Sequence, residues 1–197
     1  MPQARTILDQ WEVSAKELTE VVNANPSLRG ILLGYLAEVK LRHMWFSDRR
    51  VSEVHKDDDH DRRKKGDLVV TYRNRPFVIE VKSLQTNSVR RLDDTWFGKA
   101  QCDASDRRTV VLPGRTRKTI ETTCLLVGQF DLLAVNLFTF ENQWRFIFAK
   151  NSDLPRSQYK KYTEAQRRHL LATLIDVTWP PKPPFRDEPF SLLDEFF

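Results

Sequence analysis

The chain predicts an α/β domain in which a central mixed β-sheet is flanked by helices. Three observations carry that expectation. Residues 6–45 repeat their apolar side chains at helical spacing. Residues 67–82 hold two runs, Asp67-Leu-Val-Val-Thr-Tyr72 and Pro76-Phe-Val-Ile-Glu-Val-Lys82, that are apolar on both faces, as central strands are. More strand-like runs then follow to residue 148. With 197 residues, 40% hydrophobic and 11% aromatic, there is enough apolar material for one core and too little for two. We therefore expect a single domain over 1–179, with N-terminal helices, and a Pro-rich arm with an apolar tail over 180–197.

Taken in order, Thr6 to about Val22 reads as an amphipathic helix, with Ile7, Trp11, Leu18, Val21 and Val22 available for packing. Asn25-Pro26 supplies a cap and a first-turn proline for a second helix to about Trp45, whose stripe is Leu28, Ile31, Leu32, Tyr35 and Val39. Residues 46–66 are mostly charged, and Asp57-Asp-Asp-His-Asp61 with His55 reads as a solvated loop rather than a metal site, since nothing apolar there would fix ligands. After the two strands, residues 83–94 show no period, and Trp96 to Asp103 reads as a short helix capped by Asp94-Thr95. Strands follow at Arg108–Leu112 and Thr119–Leu126, then a hairpin of Phe130–Phe138 and Trp144–Phe148 in which Asp131 has a structural place. Thr163 to Ile175 predicts a helix. Pro180-Pro-Lys-Pro-Pro184 predicts an extended arm, and the apolar end from Phe185 to Phe197 should dock on its own domain or on a second subunit.

Burying polar groups in a sheet is costly unless they are paired or hold a ligand, so Asp67, Glu80 and Lys82 stand out. The turn Tyr72-Arg73-Asn74-Arg75 pairs the two runs antiparallel, and opposed residues then carry numbers that sum to 147. Asp67 faces Glu80, and Lys82 shares their face because it lies two residues along the strand. Two carboxylates beside a peptide carbonyl make a hard-oxygen site suited to Mg²⁺ or Mn²⁺, and an adjacent lysine can orient water or offset charge on a phosphate. The competing reading is a surface hairpin with an Asp–Lys or Glu–Lys salt bridge. Apolar residues on both faces of the runs count against it.

Gly66-Asp67 followed by Glu80-Val81-Lys82 at the end of a second strand resembles the PD-(D/E)xK nuclease superfamily, also called restriction-endonuclease-like. The similarity covers about residues 28–148, with Gly66 where the family name has proline. It implies a restriction-endonuclease-like core and a metal-dependent DNA endonuclease similar to restriction or phage-defence nucleases. Asp67, Glu80 and the Val81 carbonyl would hold the metal, and Lys82 would position the attacking water. Glu38 matches the acid that members often bring from a preceding helix, and Gln101 matches a glutamine placed after the lysine strand. The remaining readings are a structure-specific or RNA nuclease of the same fold, or a nucleic-acid-binding protein without hydrolysis. Cutting both strands implies two sites, hence a homodimer.

Charge fits a polyanionic partner. The net charge is +5, with basic residues crowded between 49 and 118, while the last eleven residues have four acids and no base. Arg62, Arg63, Lys64, Lys65 and Lys99 are the expected nucleic-acid contacts. Cys102 and Cys124, without CxxC spacing, read as reduced thiols of a cytoplasmic protein. No apolar run is long enough for a membrane, and no leader precedes the first helix. The sequence has no Walker A loop, no GxSxG elbow and no zinc spacing, which weighs against an NTPase, a serine hydrolase and a zinc protein.

Overall fold

A computed structural model of the chain describes residues 5–56, 66–113 and 118–197. Residues up to Leu36 and residues Ala37–Phe197 form two compact units. The first contains two short helices and the beginning of a third. Thr6 and Ser14 each cap a helix through a reciprocal box, with Asp9 and Glu17 as the returning acids, so the expected single helix is two: α1 (Ile7–Trp11) and α2 (Ala15–Ala24). Glu12, in the left-handed region at φ 53°, ends the first. Helix α3 (Pro26–Met44) starts at the predicted proline. Its expected stripe is not a buried one. Leu28, Ile31, Leu32, Tyr35 and Val39 are exposed, as are Ile7, Trp11 and Val21, while α3 buries Ala37 and Leu41 near its other end.

The second unit is built on a five-stranded sheet of β1 (Val51–His55), β2 (Leu68–Tyr72), β3 (Arg75–Ser83), β8 (Leu132–Asn136) and β9 (Phe146–Lys150), in that spatial order. It is mixed, because β3 pairs parallel with β8 while every other neighbour is antiparallel. The 46–66 segment was expected to be loop throughout. Instead Val51–His55 is the edge strand, where mostly exposed polar residues are tolerated.

Between β3 and β8 the chain makes β4 (Arg90–Leu92), β5 (Thr95–Gln101), β6 (Asp103–Leu112) and β7 (Lys118–Cys124). After β8 come α4 (Phe138–Glu141), α5 (Glu164–Arg167), β10 (Leu174–Trp179) and α6 (Phe190–Asp194). A second sheet has the order β10-β5-β4, and β6 with β7 forms a two-stranded ribbon. Two expected helices are therefore strands. The expected helix at Trp96–Asp103 is instead most of β5 with the first residue of β6, because Gly98, Ala100 and Cys102 alternate inward and leave no helical stripe. The 163–175 segment is helical for one turn only, and Ile175 and Val177 then face the core from β10, opposite Ala100 and Gly98.

One face of the main sheet presents Val70, Tyr72, Phe77, Ile79, Leu132 and Phe148 to Ala37 and Leu41 of α3 and to Phe190, Leu192 and Leu193 of α6. The other presents Leu133, Val135, Ile147 and Ala149 to β5, β10 and Phe140 of α4. The fold is thus mixed α/β, a central mixed sheet flanked by helices, with the second sheet completing one layer. The C-terminal tail docks on its own chain. Tyr72 donates from Oη to Asp194 at 2.7 Å, Phe77 meets Phe196 edge-on at 5.3 Å, and Phe148 exchanges backbone hydrogen bonds with Arg186. Among the described residues no helix is long and apolar enough to cross a membrane.

Candidate active site

The β2–β3 hairpin has the predicted register: Leu68 opposes Ile79 and Val69 opposes Val78, pairs whose numbers sum to 147. One step further the strand gives way to Asp67 opposite Glu80. Entry to that position depends on Gly66 at φ 81°, where a Cβ would stand 2.2 Å from Val78 Cγ1. The same φ is inaccessible to proline.

Asp67 is held at both ends. Its backbone N–H donates to the Ile79 carbonyl at 2.9 Å, and its Oδ2 accepts from the Val81 N–H at 2.7 Å. The carboxylate therefore continues the ladder where β2 has stopped. In a strand the N–H and C=O of one residue point to the same edge, so the Val81 carbonyl faces the side on which Asp67 lies. Glu80, only 6% exposed, pairs through Oε1 with Lys82 Nζ at 2.8 Å. All three side chains lie on the face of β3 that carries Leu133 and Val135 alongside, where the second sheet begins to cover it.

Burial and the neighbouring Glu80 charge raise the Asp67 carboxyl to about 7, with Glu38 adding a smaller push and Lys82 and the Val81 N–H opposing it. For Lys82 burial acts to lower the ammonium, but Glu80 and Asp67 outweigh it and hold the group above its ordinary value. The lysine is a fixed cation. Two acids and one cation form a cluster with surplus negative charge, which adds to burial in raising Asp67.

Glu38 reaches the same region from α3, and Lys56, just beyond β1, ties it at 2.5 Å. Sequence reasoning missed Lys56, which sits among many other charges and eighteen residues from its partner. Cys102 was also missed as a neighbour: burial pushes its thiol up to about 12, with Lys82 opposing and Glu80 adding, so it is an inert wall of the site. Cys124 is likewise free and buried. Gln101 lies on strand β5, not on a helix, and is exposed, opposite in direction to Ala100 and Cys102. Lys99 points outward from β5 and meets Asp176 Oδ1 at 2.8 Å. Arg62, Arg63, Lys64 and Lys65 lie outside the described residues. Asp131 bridges β3 and β8, accepting from the Val78 N–H at 2.7 Å and donating from its own N–H to the Val78 carbonyl at 2.8 Å.

Among the described residues no three His, Cys, Asp or Glu side chains already stand as a metal cluster. The donors nearest to one are the Asp67 and Glu80 carboxylates and the Val81 carbonyl, all hard oxygens, and a divalent cation there would offset both the burial of Asp67 and the repulsion from Glu80 that raise its carboxyl. The donor set fits such an ion, while Glu38 is ion-paired with Lys56.

No family model and no curated protein matches the chain. Among solved structures it is similar to a bacterial homing endonuclease, I-Ssp6803I, at 15% identity and a TM-score of 0.35, over 73% of this chain and 87% of that chain. A likeness that weak carries nothing about chemistry, which has to come from the side chains.

Proposed function

We propose that the protein is a metal-dependent DNA endonuclease of the PD-(D/E)xK type, hydrolysing phosphodiester bonds as restriction and phage-defence nucleases do. The observation that supports it is the convergence of Asp67, Glu80 and Lys82, with the Asp67 carboxyl raised to about 7 by burial and by Glu80. Asp67, Glu80 and the Val81 carbonyl would hold Mg²⁺ or Mn²⁺, with Glu38 completing the acidic cluster. Bound there, the ion would polarise a phosphoryl oxygen and acidify a water. Lys82, kept protonated by its acidic neighbours, offers N–H donors to that water or to a non-bridging phosphate oxygen. The Val81 N–H fixes Asp67 so that little reorganisation is needed on binding. Gln101, on the exposed side of β5, would meet the substrate rather than the metal.

Reduced, buried Cys102 and Cys124 suit the cytoplasm, which we take as its location. Cutting both strands calls for a homodimer. Its contact would lie away from the C-terminal tail, which is occupied by its own chain.

The test is incubation of purified protein with plasmid, linear duplex, single-stranded DNA and RNA, in Mg²⁺, Mn²⁺ or EDTA. Metal-dependent cleavage that disappears in Asp67→Ala, Glu80→Ala and Lys82→Ala, each still folded by its far-UV circular dichroism, supports the reading. Calorimetry should show weakened Mg²⁺ or Mn²⁺ binding in the two carboxylate variants and little change in Lys82→Ala. Hydrolysis that survives all three substitutions would show that the chemistry is elsewhere.

A further inference from the structure

The outer face of the β4–β5–β10 sheet carries a cleft that the site above does not use. Gly98 and Ala100 face inward from β5, so Phe97 and Lys99 point outward, and the register sets Arg90 of β4 beside Phe97 and Asp176 of β10 beside Lys99. With Lys182 these residues line a cleft of about 330 Å³. Its charge is uneven. Arg90, Lys99 and Lys182 face one carboxylate, Asp176, which Lys99 engages at 2.8 Å. Among the described residues neither Arg90 nor Lys182 has a carboxylate partner. The Arg90 guanidinium stands 5.4 Å from the centre of the Phe97 ring, a contact that leaves its N–H groups free to bind.

The cleft is joined to the active site by backbone. Beyond Lys82, Leu84 bridges to Ala100, and the Gln85 N–H donates to the Lys99 carbonyl at 2.8 Å. Three extended residues from Lys82 to Gln85 span about 10 Å. Phosphates along one DNA strand recur every ~3.4 Å of helix axis, so this backbone step alone, before the reach of the Arg90 and Lys182 side chains, corresponds to roughly three nucleotides.

We propose that this cleft clamps the DNA backbone a few nucleotides from the bond to be cut, with Arg90 and Lys182 on phosphate oxygens; the proposal rests on the nuclease reading of Asp67, Glu80 and Lys82. Two unpaired cations beside an ion pair recognise a chain of phosphates without reading sequence.

The test is anisotropy of a labelled duplex in EDTA, across a salt series, with wild type, Arg90→Gln/Lys182→Gln and Arg90→Glu/Lys182→Glu. The double Gln variant should bind roughly tenfold more weakly near physiological salt, and the slope of log affinity against log salt should fall by about 2. The melting temperature should be unchanged; if the Glu pair unfolds, the Gln pair still decides. Equal affinity and slope in wild type and the Gln variant would overturn the clamp, as would absence of DNA binding by wild type. Displacement of the duplex by inorganic phosphate at constant ionic strength would also overturn it, marking a small-anion site. If wild type cuts DNA and the variants bind and cut as well, the clamp fails and the nuclease reading stands. If wild type cuts nothing yet the variants bind more weakly, the phosphate contacts of Arg90 and Lys182 stand and the nuclease reading, with the clamp's place beside a cut, falls.

Discussion

Asp67 holds a proton across the acidic range because the fold puts it in a buried place beside Glu80. Its ordinary value is 3.8 and its folded value about 7, so between those pH values the folded state binds a proton that the unfolded state does not. Stability must therefore fall as pH rises through that window, and the loss is complete above about 7, at a cost of a few kcal/mol. Asp67→Asn keeps an acceptor for the Val81 N–H and removes the titration. Without metal, thermal melts should show the variant gaining on wild type from pH 4 to pH 8, and Mg²⁺ should restore wild type alone at the upper end. Metal must also displace that proton, so binding and cleavage should strengthen as pH rises to about 7 and then level off. A cleavage profile flat from pH 5.5 to 8 would mean that Asp67 is not a ligand. Gly66 offers a second check at this scale. Gly66→Ala sets a Cβ 2.2 Å from Val78 Cγ1 at a positive φ, so urea denaturation should show a loss of about 2 kcal/mol or more, and metal affinity should fall with it.

At the scale of elements, the hairpin was legible because strand periodicity and turn chemistry agree. Arg73 and Asn74 both take positive φ, at 48° and 62°, and that tight turn fixes the register which brings Asp67 opposite Glu80. Lys56 was not legible, since no local pattern links an edge strand to a helix eighteen residues away. Strands β5 and β10 were misread for a related reason. The inward residues of β5 are Gly98 and Ala100, too small to announce a buried face, and Leu170, Leu171 and Leu174 imitate a helical stripe that ends after α5. Those small residues are required by packing, because a Cβ at Gly98 would stand 3.0 Å from the Phe140 ring, which itself stacks on Trp96. Gly98→Val should therefore cost roughly 1–3 kcal/mol by urea denaturation and disturb the Lys99 face, whereas the exposed Gln101→Ala should leave stability within about 0.5 kcal/mol.

Over the whole molecule, the apolar tail was legible as something that must be buried, but sequence could not say against what. It folds back on the turn end of the hairpin, far along the strands from Asp67 and Glu80, and closes the core around Tyr72, Phe77 and Phe148. Leu192 and Leu193 are 1% and 0% exposed. The ion pairs of Glu195 with Lys150 and Arg186 decorate the edge of this contact and, being exposed to solvent screening, add little to it. Removing residues 180–197 would uncover a face of the main sheet and leave Tyr72 Oη without Asp194, so the shortened chain should melt far lower or aggregate. Leu193→Ala is the gentler version and should cost 2–5 kcal/mol, roughly the value of a deleted core leucine with its cavity. Because the tail packs within one chain, this loss should appear without any fall in mass by light scattering, and with cleavage per folded molecule preserved. Dissociation of a stable oligomer at unchanged melting temperature would instead mean that the tail's apolar surface serves a second copy.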